Sequence, residues 1–460
     1  LPALTIDERN RRHEQAQRIV AELLPARIGA VAVTWVDNSG ITRAKVVPVE
    51  KLPHTAAWGV GASPVFDAFL ADDSIVSGRF AGSPSGDLRL HPDLDRLTRL
   101  GARPGWAWAP GERYDQDGAV HPQDSRNLLR RTVDRLAAAG WSVRAGFEVE
   151  WMAGSDEDRF VPVTSAPAYG MARVTACADY LRDVLAALAR TGLTVEQIHP
   201  EYSPGQFEVT CAATDPVDAA DSVVLIRETI RAVTTDRGLR ATFAPAAEPD
   251  RVGNGGHVHL SLWRGADNLM AGGNGPCGAT ADGDSFAAGI LRHLPALLAV
   301  GCPSTASYLR LVPSRWAGVY ACWGPENREA ALRWVTGADG ERHRAANIEL
   351  KCFDATANPY LLLTGLLTAG AAGLADRARL PAPVDGNPAA LPQEELRRRG
   401  IRRLPGSLAE AVTAFAADPV VAGAYGPELA DTLVTVRRAE IESFAGAAPA
   451  EVVARTRWLY

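Results

Sequence analysis

The sequence has no apolar run approaching the eighteen or so residues that a membrane-crossing helix requires, so no such helix is expected. It also has no excess of positive charge. Its 48 Lys and Arg are outnumbered by 54 Asp and Glu, and the formal net charge of −6 argues against a nucleic-acid partner, which would want a basic face. There is no CxxC pair. The six cysteines, Cys177, Cys211, Cys277, Cys302, Cys322 and Cys352, each stand alone among apolar or small residues. That pattern suits free, mostly buried thiols in a reducing cytoplasm rather than a disulfide framework. No internal repeat and no low-complexity tract is found. Leu1 to Arg12 is charged, unlike a signal peptide. What remains is an ordinary globular composition, 47% hydrophobic and 22% charged. At 460 residues the chain is too long for one compact core, so two domains are expected.

The first hundred or so residues read as strands and loops. Val31 to Asp37 is β-branched, Asn38-Ser39-Gly40 signals a turn, and Ile41 to Val49 reads as the second arm of a hairpin. Asp87 to Asp93 is a further extended piece. The texture changes near Arg103-Pro104-Gly105, where the domain boundary is expected. From Ser125 onward helices and strands alternate. Ser125 reads as an N-cap and Gly140 as a C-terminal stop. Further helices are expected around Leu181 to Leu188, from Asp221 to Arg237, from Ser285 to Val300, and in the Ala-rich stretches Leu361 to Ala378 and Leu408 to Ala416.

Four short segments alternate strictly. In Val143 to Trp151, Glu148 and Glu150 oppose Phe147, Val149 and Trp151. In Gln206 to Cys211, Glu208 alternates with Phe207 and Val209. In His257 to Trp263, His257, His259 and Ser261 alternate with Val258, Leu260 and Leu262. In Asn347 to Phe353, Glu349 and Lys351 alternate with Ile348, Leu350 and Cys352. Side chains of a strand change face at every residue, so each segment has an apolar face for a core and a face of Glu and His. A polar face that merely meets water would mix Lys, Thr and Ser with Glu. Glu201, in the loop before Glu208, adds a fifth carboxylate. Two like charges about 4 Å apart repel by roughly 4 kcal/mol at an effective dielectric near 20, so such a cluster needs cations. Oxygen ligands with an occasional imidazole favour Mg²⁺ or Mn²⁺, and no Cys alternates onto the ligand faces to suggest structural zinc.

These segments, in this order, resemble the glutamine synthetase family along nearly the whole chain. The E-x-E strand is Gly146-Phe147-Glu148-Val149-Glu150. His199-Pro200-Glu201 leads to Gly205-Gln206-Phe207-Glu208. The Gly-rich loop Gly253-Asn254-Gly255-Gly256 runs into His257-Val258-His259-Leu260-Ser261. Then come Arg310-Leu311-Val312-Pro313, Glu326 to Arg333, Glu349-Leu350-Lys351, Ala357-Asn358-Pro359-Tyr360 and Leu404-Pro405-Gly406-Ser407-Leu408. The resemblance implies an α+β fold: a small N-terminal β-grasp domain over residues 1–104, then a catalytic α/β domain over 105–460 with a curved antiparallel sheet lining the active site. It implies a metal site of Glu150, Glu201 and Glu208 and another of Glu148, His257 and Glu349. His259, Ser261, Arg328 and Arg333 would contact ATP. Gly253, Arg310 and Lys351 would position glutamate, with Arg310, Arg328 and Glu201 serving catalysis. Family members form stacked rings with sites built between neighbouring subunits, so a homo-oligomer, a dodecamer of two hexameric rings, is expected, in the cytoplasm.

Two departures bear on the nucleophile. The family's ammonium-binding Asp aligns with Val60, in Val60-Gly61-Ala62-Ser63, and its flap Glu aligns with Trp316. No Glu lies between Arg310 and Pro325. Both changes remove negative charge and add apolar surface, which suits an organic amine over the compact ammonium ion. The pattern resembles the γ-glutamylamide synthetases of amine catabolism, acting on ethanolamine, small monoamines or polyamines. Val60, Ser63, Tyr169 and Trp316 are then candidate amine contacts, and Glu201, helped by Tyr169 or Ser63, is the candidate base. Lys351 stands where many members carry Arg, and Pro383 to Arg403 has no Tyr to match the family's adenylylated one. Three other readings stay open at this point: an ammonium-using glutamine synthetase, a non-catalytic family member with a structural or regulatory role, and an activator of an acid other than glutamate.

Overall fold

The computed structural model describes residues 3–156 and 160–460. Its first helix, Ile6–Leu23, is capped by the Thr5 hydroxyl, which accepts from the Glu8 amide. Six strands follow: β1 (Ala30–Val36), β2 (Thr42–Pro48), β3 (Val60–Ala62), β4 (Leu88–Pro92), β5 (Thr98–Arg99) and β6 (Trp106–Tyr114). They form a sheet in the order β2-β1-β6-β4-β3, with β5 on β6. β1 and β2 make the expected hairpin. Asp37 Oδ1 accepts from the Ser39 and Ile41 amides, and Gly40 takes the left-handed φ of 81° that the turn requires. Val31, Val33, Val47, Leu52 and Leu90 give this unit its own core.

The expected division at 104/105 falls ahead of β6, a strand that pairs parallel with β1 and antiparallel with β4 and so belongs to the first sheet. Its inner charges obscure it as a strand in the sequence. Glu112 and Arg113 are both buried, and Arg113 is matched by Asp67 at 2.5 Å and Asp124 at 3.4 Å.

The second sheet comprises β7 (Ser142–Asp156), β8 (Phe160–Pro162), β9 (Val195–Pro200), β10 (Gln206–Cys211), β11 (Arg240–Thr242), β12 (Gly256–Arg264), β13 (Asp267–Asn268), β14 (Tyr320–Pro325), β15 (Ala330–Val335), β16 (Asn347–Leu350) and β17 (Arg402–Arg403). Its main path is β17-β14-β15-β16-β12-β7-β10-β9. The neighbours are antiparallel except β14 and β15, which run parallel. The four alternating segments lie in β7, β10, β12 and β16, and their apolar sides (Phe147, Val149, Val209, Leu260 and Ile348 among them) join one core with helices Pro216–Asp236, Ala281–Gly301 and Pro359–Asp376.

Helix starts differ from expectation by a few residues. Asp124, not Ser125, caps Ser125–Ala138, its carboxylate accepting from the Asn127 amide. The helix expected from Asp221 begins at Pro216, capped by Asp215. Asp221 is instead an interior, fully buried residue that accepts two hydrogen bonds from Arg126, at 2.9 and 2.8 Å. Asn358 caps Pro359–Asp376 and also donates to the Val36 and Asp37 carbonyls, tying this helix to the first hairpin. No described helix is long and apolar enough to cross a membrane. The six cysteines are free, and all but Cys277 are buried.

Candidate active site

Strand register decides what the polar face can do. Glu208 lies opposite Glu150, Thr210 and His257 flank Glu148 from either side, and His259 lies opposite Glu349. Opposed residues in a ladder have Cβ atoms about 5 Å apart, so pairing alone gathers these groups on one patch. The patch floors a cavity of about 710 Å³. Glu148, Glu150, Glu201, Glu208, His257, His259, Gly253, Arg310, Arg328, Arg333, Lys351, Tyr169 and Trp316 all line it. Glu349 lies just beneath, fully buried, and is bonded to Lys351 Nζ at 2.8 Å and to Arg333 at 3.1 Å.

Three expected site residues are not brought to this cavity by their own chain. Val60 is in β3 and Ser63 caps the short turn that follows it, both in the first unit. Ser261 is buried in β12, where its hydroxyl accepts from the Trp263 indole at 2.8 Å.

The acidic groups fall into three overlapping sets whose ligand atoms lie within 4.8 Å of one another: Glu148, Glu208 and His257; Glu148, His259 and Glu349; and His199, Glu201 and Glu208. This partition differs from the implied one. Gln206 Nε2 at 2.7 Å and the Gly255 amide at 2.9 Å both donate to Glu150 Oε2, while its Oε1 lies 3.7 Å from His257 Nε2. His199 enters through bonds to Glu208, and His259 bonds Glu148 at 3.1 Å and Asn347 at 2.9 Å. Glycine is required in the adjoining loop. A Cβ on Gly255 would meet Glu150 Oε1 at 2.8 Å and Arg310 at 2.9 Å, and one on Gly253 would run into the Pro245 carbonyl.

The electrostatics report a crowd of like charges. Burial, and then the Glu201 and Glu208 carboxylates, push Glu150 up to about 8. Burial likewise raises Glu208. Burial and the Lys351 charge lower His257 to about 4, whereas Glu148 outweighs burial at His259 and raises it to about 9. The Glu208 carboxylate lifts His199 to about 9. Against burial, Lys351 and the two imidazoles hold Glu349 down at about 2. A crowd of buried carboxylates, one of them pushed to about 8, with imidazoles among them and no thiolate, suits hard divalent cations. The residues present therefore fit Mg²⁺ or Mn²⁺.

Several residues act here that have no assigned role in the sequence reading. Gln206 donates to Glu150, to the Gly253 carbonyl and to Asn254, and Asn254 is anchored by the Thr242 and Ala244 carbonyls. Their signal was available: Gln206 shares the face of Glu208, two positions away. Arg173, almost fully buried, donates to the carbonyls of Ala166, Glu201, Tyr202 and Ser203. No pattern marks it. Arg173 thus locks the segment bearing Tyr169 to the one bearing Glu201. Tyr169 then donates its phenol to Glu201 at 2.5 Å, and the Tyr202 amide donates to the same oxygen at 3.0 Å.

Comparison with known proteins agrees with this architecture. Residues 122–453 match the family described as glutamine synthetase, catalytic domain. The chain is 54% identical over 451 residues to a γ-glutamylpolyamine synthetase of Streptomyces coelicolor, covering 97% of each. It is 28% identical over 437 residues to a glutamate–methylamine ligase of Methyloversatilis universalis, covering 90% of this chain and 92% of that one. Among solved structures, one described as a novel glutamine synthase homolog superposes with a TM-score of 0.84 at 33% identity, covering 94% of this chain and 99% of the other. A GmaS/ADP complex superposes with a TM-score of 0.82 at 26% identity, covering 93% and 96%. From its ordered motifs, the two sheets and these matches, the chain belongs to the glutamine synthetase family.

Proposed function

We propose that the protein joins an organic amine to the γ-carboxylate of L-glutamate, driven by ATP, to give a γ-glutamylamide, ADP and phosphate. It is an ATP-dependent carbon–nitrogen ligase. One observation carries the choice of amine: the wall beside Glu201 is made of Tyr169, Tyr202, Val252 and Trp316, an apolar and aromatic surface where an ammonium site would want carboxylates. Similarity to the polyamine and methylamine enzymes supports the same reading, and the 54% identity favours a polyamine.

The γ-carboxylate oxygen attacks the γ-phosphorus of ATP, ADP leaves, and an acyl phosphate results. The amine nitrogen attacks the acyl carbon, phosphate leaves with the C–O bond electrons, and the surplus proton goes to Glu201. Tyr169 and the Tyr202 amide orient Glu201 for that task, through hydrogen bonds to Oε2, with Oε1 3.6 Å from His199 Nδ1. Arg310 is fixed by the Lys351 and Cys352 carbonyls, so its charge is preset for an anionic group. Arg328, exposed at the mouth, makes no hydrogen bond or ion pair among the described residues and is available to phosphate oxygens. Arg333 serves the same end while bonded to Glu326 and Glu349. Mg²⁺ or Mn²⁺, held by the sets above, would supply charge neutralisation for phosphoryl transfer. His259, 3.1 Å from Glu148, lines the cavity, whereas Ser261 is buried in β12 off the cavity and keeps its hydroxyl proton free to donate.

Because Val60 and Ser63 lie off their own chain's cavity, their assignment as amine contacts goes together with a homo-oligomer, a dodecamer of stacked hexameric rings in our reading. The pairing of β6 and the start of the catalytic match at 122 support moving the domain division from 104/105 to just beyond Tyr114. Free thiols favour a reducing, cytoplasmic setting. ADP release measured with glutamate and an amine panel tests the function. A highest kcat/KM with ammonium would overturn it, and no turnover with any amine would leave a non-catalytic member.

A further inference from the structure

Of the rings on the amine-facing wall, Tyr202 has no assigned part, yet its placement is the most constrained. Its amide is bonded to Glu201 and its carbonyl to Arg173, so its backbone moves with the base. Its ring packs on Trp316, with centroids 5.2 Å apart and planes tilted by 59°. Both rings remain about half exposed, at 45% and 44%, although together they could have been buried. Trp316 is held at a left-handed φ of 55°, its amide bonded to Glu329 at 2.9 Å. A non-glycine residue at such a φ costs on the order of 1 kcal/mol or more and persists where surrounding structure insists on it. The same two rings also line a second chamber of about 370 Å³, bounded further by Ser203, Pro204, Asp250, Ser314 and two arginines, Arg251, which is paired with Glu248, and Arg315, which donates to the Asp250 carbonyl. With Val252 and Arg315 they form the shared wall between the space that holds Glu201 and an adjoining space with room for several more atoms.

We propose that the Tyr202–Trp316 ring pair binds the carbon chain of the amine, with the chamber beyond it receiving the chain's far end, so that Tyr202 is a determinant of chain-length specificity. The proposal rests on the organic amine reading above. An ammonium ion reaching Glu201 has no carbon chain to lay along the pair. A chain of four or more carbons starting at the same point extends along the ring faces, where each covered methylene gains about 0.8 kcal/mol. Ring faces also attract a second ammonium group on the chain. The aromatic hydroxyl is not part of this argument, so the ring and not the phenol should matter.

The test is steady-state kinetics of the full chain with glutamate, ATP and a series of amines: ammonium, methylamine, butylamine, 1,4-diaminobutane and spermidine. Tyr202→Ala should lower the ratio of kcat/KM for the four-carbon and longer amines to that for methylamine by about tenfold, the loss of one or two covered methylenes. The KM for glutamate should not follow that ratio, and Tyr202→Phe should restore it. An unchanged ratio in Tyr202→Ala, or an equal loss for every amine and for glutamate, would overturn the ring-pair site. If the unsubstituted protein itself works best with ammonium, it is the organic-amine reading that fails, a result visible before any variant is made.

Discussion

At the scale of single residues, the proposed choice of nucleophile turns on Trp316, which lines the cavity beside Glu201. A carboxylate in its place would offer the compact cation a partner near Glu201 and remove a ring face from a longer amine. The backbone there is already left-handed, so glutamate meets no strain that tryptophan does not. Trp316→Glu should therefore raise the ratio of kcat/KM for ammonium to that for the preferred amine by about tenfold, some 1.4 kcal/mol, in the same ADP-release assay. A second single-residue effect lies far from the site. His91 is fully buried, its Nδ1 bonded to the Ala56 carbonyl while Nε2 has no partner among the described residues. Burial lowers it from 6.5 to about 4. Between those values the unfolded chain binds a proton that the folded chain does not, so stability falls as pH drops from 6.5 toward 4 and is fully present above 6.5. The contribution is on the order of 3 kcal/mol, and His91→Gln should flatten the corresponding part of a plot of unfolding free energy against pH.

At the scale of elements, the four ligand-bearing strands could be read because a two-residue period survives in sequence whatever surrounds it. Glu148, Glu208, His257 and Glu349 all occupy the faces that the alternation assigns them, and cross-strand register then brings them together. Register itself is a tertiary property, which is why the grouping into three sets, and the hydrogen bond from Gln206 to Glu150, could not be foreseen. Arg173 was equally hidden: a lone arginine bonded only to carbonyls has no period and no motif. β6 was lost for another reason. Its interior carries Glu112 and Arg113, whose partners Tyr114, Arg126, Asp67 and Asp124 are distant or unremarkable in sequence. Caps were nearly right, misplaced where an Asp one residue earlier did the work that Ser125 was expected to do. One cap matters beyond its helix. Asn358 closes the start of Pro359–Asp376 and satisfies two carbonyls at the end of β1, so Asn358→Ala should lower the unfolding free energy in urea by about 2 kcal/mol, more than an ordinary exposed cap, because it also strands buried acceptors.

At the scale of the whole molecule, the crowded carboxylates link stability to cations. A folded chain that binds Mg²⁺ or Mn²⁺ while the unfolded chain does not gains about 2.7 kcal/mol at a hundred times the dissociation constant. Thermal unfolding should shift upward with either ion, the shift should vanish with EDTA, and Glu208→Gln, which touches two of the three sets, should blunt it without any substrate present.

The placement of Val60 and Ser63 away from the cavity beside them has a genetic consequence. In the ring assembly proposed above, Val60 would meet a neighbour's substrate and not its own chain's, so damage at position 60 and damage at position 201 of one chain would fall in different sites. Chains carrying Val60→Asp and chains carrying Glu201→Gln, dissociated and reassembled together, would regain some intact sites, and the mixture should turn over amine faster than the two preparations summed. Two alleles defective in the same enzyme would then complement each other in one cell.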